Sequence, residues 1–153
     1  PTLWPDLATL RGACEPLMGP ATVIKLSLDD ARALWGTGTM RDAMAALDAF
    51  AAPVVVITDG AREVRARRFI DGEPRWTTHP VFTVEAVEPT GAGDAFTAAL
   101  LSRLVASGWG AVSDDDIWFG MAAGAMATTK PGAIAALPTA EEIAHFVASR
   151  RGG

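Results

Sequence analysis

The stretch PVVVIT at 53–58 narrows the fold more than any other part of the chain. Alternation of apolar and polar residues would let one face of a strand meet water. An unbroken run of β-branched residues needs cover on both faces, as in a parallel sheet held between helix layers. The flanking patterns supply such layers. ATVIKL at 21–26 reads as a second buried strand, and Ser27-Leu28-Asp29-Asp30 caps a helix to about Trp35. In that cap the Ser27 hydroxyl can accept from the Asp30 N–H, and both acids favour the first turn. Residues 39–50 repeat Met40, Ala43, Met44 and Leu47 on one helical face. A weaker helical run at 5–18 is interrupted by Gly12 and Pro16.

Beyond the Asp59-Gly60 turn, residues 63–69 alternate Val64 and Ala66 against Arg65 and Arg67, and Asp71-Gly72 can return the chain through 75–78 as a hairpin. The arginines are expected to form a solvated strand face. Residues 81–87, VFTVEAV, alternate again and predict a strand. Helices follow at 95–107, at 114–129 and from Pro138 onward, the last with Thr139 and Glu142 as a capping box. Strand and helix alternate in the first part and helices cluster in the second, which predicts an α/β layered architecture.

Length and charge limit what such a fold serves. At 153 residues the chain is expected to form one α/β segment over 1–153, with a frayed, disordered tail at 150–153. A net charge of -5 argues against nucleic acid or a membrane surface as partner. Cys14 is the single cysteine, so an internal disulfide and a multi-cysteine metal site are excluded, and a reducing, cytoplasmic setting is expected. The chain opens at Pro1 without methionine, from which processing or a missing upstream segment is expected. His79 and His145 have no partner motif, and the tryptophans are expected to be packing residues.

The chemistry concentrates in VEPTGAGDAF at 87–96. Gly91 and Gly93 let backbone N–H groups approach a ligand closely, and the following helix adds its unpaired N–H groups, which together describe an anion site. Asp94 places a carboxylate beside that cradle, where it could act as a base. The same residues also suit a helix start, since Asp is a favoured cap and Gly a favoured turn residue. Both readings stand at this level. A Gly-Lys-Ser/Thr ending is lacking, and Phe96 occupies the third glycine position of a dinucleotide fingerprint, so neither common phosphate loop fits. The small residues Ala122 to Ala125 and Ala127 would admit a flat ligand or simply a close helix.

VEPTGAGDAF resembles the second signature of the ribokinase-like, or PfkB-type, carbohydrate kinases, whose usual form is DTTGAGDAF. Three further segments are similar to that family in the same order: VIKLSLDDARALWG to its Asn-x-x-Glu segment, VVVITDGA to its Thr-x-Gly segment, and AAGAMATTKPGAIAALPTAEEI to its C-terminal stretch. The opening PTLWP is similar to fructokinase-like and 2-keto-3-deoxygluconate-kinase-like members. The resemblance implies a ribokinase-like three-layer α/β/α fold, present as its C-terminal portion, with the lid and sugar-binding half absent. It implies transfer of the γ-phosphate of MgATP to a hydroxyl of a small sugar or sugar acid, possible use of K⁺, and either a missing N-terminal half or a homo-oligomer. A fragment of that kind is expected to be inactive alone; the alternative is a non-catalytic nucleotide-binding or interaction module.

By position, the resemblance makes Asp94 the catalytic base and Gly91, Ala92 and Gly93 the anion hole. It places Thr58, Gly60, Gly132 and Ala133 at the nucleotide, Asp30 near Mg²⁺ through water, and Glu88 at a monovalent cation. Glu88 departs from the family's Asp at that place, and Ser27 and Asp30 depart from its Asn and Glu.

Overall fold

The computed structural model describes residues 3–151, and the chain forms two compact units, Pro1–Thr78 and His79–Gly153. The first unit holds α1 (Leu7–Met18), β1 (Val23–Ser27), α2 (Leu28–Trp35), α3 (Met40–Leu47), β2 (Val54–Asp59) and β3 (Glu63–Ile70). β4 (Glu73–Pro80) crosses the boundary between the units. The sheet order is β1-β2-β3-β4. β1 and β2 run parallel, with Val23 opposite Val54 and Ser27 opposite Thr58, so α2 and α3 form the crossover that a parallel pair requires. β3 is antiparallel to β2, from Val55 opposite Arg67 to Asp59 opposite Glu63.

β2 is closed on both faces, as its sequence demands. Val55 and Ile57 pack with Ile24, Leu26, Ala31, Ala43 and Leu47 under the helices. On the other face Val56 and its cross-strand partner Ala66 are each 0% exposed. Ser27 caps α2 as the sequence implies, its hydroxyl accepting from Asp30 N at 3.0 Å. α1, capped by Asp6, runs past Gly12 and through Pro16, with no buried residue of its own.

Two expectations fail, each for a reason invisible in local pattern. Arg67 is not part of a solvated face: it is 7% exposed. Standing opposite Val55, it points toward the α3–β2 connection, where it donates to the carbonyls of Leu47, Phe50 and Ala52 and to Asp48. Asp48 also accepts from Trp76 Nε1, and the guanidinium lies 5.9 Å from that ring. The partners lie 15 to 20 residues upstream, out of reach of any alternation rule. Residues 81–87 form no strand either. Alternation marks two faces but does not supply a pairing partner, and here the Val87 N–H goes to the Thr128 carbonyl at 2.7 Å.

The second unit holds α4 (Ala92–Ala106), α5 (Asp114–Ala127) and α6 (Ala140–Arg151). Its core is made of small residues, Ala95, Ala99, Ala122, Ala123 and Ala127 with Ile143, and is lined by Phe82, Phe119 and Phe146. A Cβ on Gly124 would stand 3.0 Å from the Ala92 carbonyl oxygen, and one on Gly120 3.2 Å from that of Phe96. The small face of α5 therefore serves close helix packing. His79 is buried and meets Trp118 edge-on. Of the expected tail, 150–151 belong to α6, and 152–153 lie outside the described residues. No helix among the described residues is long and apolar enough to cross a membrane.

Candidate functional site

The residues expected to bind nucleotide, metal and substrate fall into two groups, one in each unit. In the first unit they gather where the parallel strands end, the usual ligand edge of an α/β sheet. Ser27 ends β1 and Thr58, its Cα partner, stands near the end of β2. Gly60 follows at φ +52 in a turn closed by Arg62 N to Asp59 O at 2.9 Å. The Arg62 guanidinium grips the Asp59 carboxylate, with Nε at 2.6 Å from Oδ2, and this hydrogen bonding holds the Asp59 carboxyl below the usual range.

Asp30 lies on the first turn of α2, at the same strand-end edge. Its Oδ2 accepts from Ser27 N at 2.8 Å and from Ser27 Oγ at 2.7 Å, completing a reciprocal capping box. Oδ1 takes no protein donor among the described residues. One spent and one open oxygen on a short arm fit a water-bridged contact to a hydrated Mg²⁺ better than direct ligation. The described residues contain no group of three or more His, Cys, Asp or Glu able to hold a metal ion by themselves.

The second group is built on the glycine turn. Gly91 is the N-cap of α4 at φ +84 and ψ -4, and no side chain caps this helix. Asp94 sits in the first helical turn, exposed, and is therefore not a capping residue. Ala92 N bonds the Pro89 carbonyl at 3.2 Å, and Ala95 N opens the helical ladder to Gly91 O at 2.9 Å. The N–H groups of Gly93 and Asp94 find no acceptor among the described residues. Open donors at the positive end of a 15-residue helix favour an anion. Asp94 and the dipole sit together, an exposed carboxylate next to donors that favour negative charge.

Gly132 and Ala133 come against this turn. A Cβ on Gly91 would lie 3.1 Å from the Ala133 Cβ. Gly132, itself at φ +88, donates its N–H to Glu88 Oε2 at 2.9 Å. That bond, together with one from the Thr90 side chain, holds the Glu88 carboxyl below the usual carboxylate range. Glu88 was expected at a monovalent cation; one of its two oxygens is taken by the Gly132 N–H. The Thr128 carbonyl, which accepts from both Val87 N and Glu88 N at 2.7 and 3.0 Å, has no signature in sequence because backbone oxygens carry none.

The model for the pfkB family carbohydrate kinases matches residues 1–140. A fructokinase from Klebsiella pneumoniae is 34% identical over 149 residues, covering 92% of this chain and 46% of the relative. The solved fructokinase of Vibrio cholerae O395, bound to fructose, ADP and potassium ion, superposes with a TM-score of 0.77 at 28% identity over 95% of this chain and 46% of its own. Aminoimidazole riboside kinase from Salmonella enterica, complexed with aminoimidazole riboside and an ATP analog, gives a TM-score of 0.77 at 28% identity over 94% and 48%. The chain thus spans about half the length of the relatives it matches. Family match and shared ribokinase-like α/β architecture agree with the geometry of the glycine turn: the chain belongs to the pfkB family of carbohydrate kinases.

Proposed function

We propose that the chain carries the nucleotide-binding and catalytic-base part of a sugar kinase that moves the γ-phosphate of ATP to a hydroxyl of a small sugar or sugar acid. The observation that carries this reading is the exposed Asp94 beside the unfilled Gly93 and Asp94 N–H groups at an uncapped helix start. Asp94 accepts the proton of the substrate hydroxyl as its oxygen forms a bond to the γ-phosphorus. The bond from that phosphorus to the bridging oxygen breaks, and ADP leaves with the electron pair. Such transfer depends on alignment and charge neutralisation more than on basicity, so an ordinary aspartate suffices. The unfilled N–H groups of Gly93 and Asp94 face the charge on the transferred group.

Thr58 and Gly60, with Gly132 and Ala133, are assigned to the nucleotide. Asp30 would help hold a hydrated Mg²⁺ through water, and that ion would supply charge neutralisation on the phosphates. The two relatives solved with ADP or an ATP analog support a nucleotide in this reading. Their sugar and riboside ligands support a hydroxyl-bearing acceptor. We assign the chain to the C-terminal half of the kinase, in a cytoplasmic setting, with the sugar specificity residing in the rest of the polypeptide. Asp94→Asn in the full-length kinase should lower kcat by about 10²-fold or more while leaving the dissociation constant for MgATP unchanged. Wild-type turnover from that variant would remove Asp94 from the mechanism.

A further inference from the structure

Glu88 is the acid of the glycine turn whose carboxylate accepts from the 128–133 segment. Three contacts tie the segment 128–133 to this turn. Ahead of the glycines, Thr128 O takes the N–H groups of Val87 and Glu88 at 2.7 and 3.0 Å. At the glycines, Gly91 leaves only 3.1 Å between a built Cβ and the Cβ of Ala133. Between them the Glu88 side chain spans to Gly132 N at 2.9 Å. The first contact is backbone and the second is steric; among the described residues Glu88 ties the loop to the turn through a side-chain hydrogen bond. Gly132 stands in a left-handed conformation, φ +88, at the mouth of a loop that has no regular ladder to hold it. The clasp is a matter of reach and acceptor geometry.

We propose that Glu88 is a positioning residue for the nucleotide site: its carboxylate clasps the Gly132 N–H and so sets the 130–136 loop against the Gly91 to Asp94 turn. The proposal rests on the reading of these two loops as nucleotide and phosphate elements. It makes a demand that a cation ligand at the same position would not. Gln keeps the length and an acceptor oxygen but loses the charge; Asp keeps the charge but is one methylene short. A clasp tolerates Gln and not Asp, whereas a cation ligand tolerates Asp.

The test compares Glu88→Gln, Glu88→Asp and Glu88→Ala in the full chain by residue-resolved amide hydrogen exchange. Gly132 should keep its protection in wild type and Gln, and lose about tenfold or more in Asp and Ala. In parallel, titration with ADP and Mg²⁺ should give a dissociation constant near wild type for Gln and about tenfold weaker for Asp and Ala. Protection of Gly132 that is kept in Asp and lost in Gln overturns the clasp, as does protection that is equal in all four proteins. Should the wild-type chain bind no ADP while the exchange pattern holds, the nucleotide reading fails and the clasp stands as a structural contact, not a positioning one. If the exchange pattern holds and ADP affinity is unchanged in every variant, the positioning role is overturned.

Discussion

Arg67 and Asp94 show how differently two charged side chains are used. Asp94 is left in solvent in the first turn of α4. Arg67 is withdrawn from solvent and spends its donors on the Leu47, Phe50 and Ala52 carbonyls and the Asp48 carboxylate. Arg67→Met fills the space but leaves those carbonyls without partners and should cost about 3 kcal/mol in urea denaturation. A loss under about 0.5 kcal/mol, the range of an ordinary surface change, would mean that water replaces the guanidinium. Residues whose partners lie three positions away were legible in the sequence: Ser27 with Asp30, and Thr139 with Glu142, whose carboxylate takes Thr139 N at 2.7 Å. Arg67 was not, because its meaning depends on a loop brought near by the β2–β3 register. Glu88 was legible as an acid in the right place, but not as one facing Gly132, 44 positions away.

Among elements, the two buried strands and the β3–β4 hairpin stand where the sequence put them, and the alternating run at 81–87 does not form a strand. β2 announces itself by composition, since nothing but burial on both faces suits it. Residues 81–87 carry an equal alternation and form no strand, because no neighbouring strand takes up their backbone among the described residues. The start of α4 is set by its neighbour, the backbone of α4 lying against glycines of α5. Gly124→Ala therefore pushes a methyl onto the Ala92 carbonyl, at the base of the turn that bears Asp94. We expect a loss of about 1–3 kcal/mol in stability, with weaker ADP affinity. An unchanged melting temperature together with unchanged affinity would show that the helix pair slides apart without cost. The glycine turn was recognisable in sequence as an anion cradle; what the sequence left open was whether Asp94 caps the helix. Gly91 as N-cap settles that point.

At the scale of the molecule, β1 lies at the end of the sheet order and has one neighbour, β2. Val23, Lys25 and Ser27 are only half-buried along it. An open strand edge is a template for pairing with another chain. α1 adds exposed Leu7 and Leu17 close in sequence to that edge. With about half of each relative's length represented, we expect the chain alone to self-associate and to give no turnover with MgATP and a panel of sugars. Light scattering and a coupled ADP assay check both; a monodisperse monomer that phosphorylates a sugar would reverse the assignment to half a kinase.

The left-handed Gly91 has a consequence for the gene. Its backbone angle disfavours any side chain, and a Cβ would stand only 3.1 Å from that of Ala133. Every missense change in a glycine codon adds at least a Cβ atom. Nucleotide substitutions at this codon therefore have only silent ones to spare, and under selection for this turn the position should drift in DNA while standing still in protein.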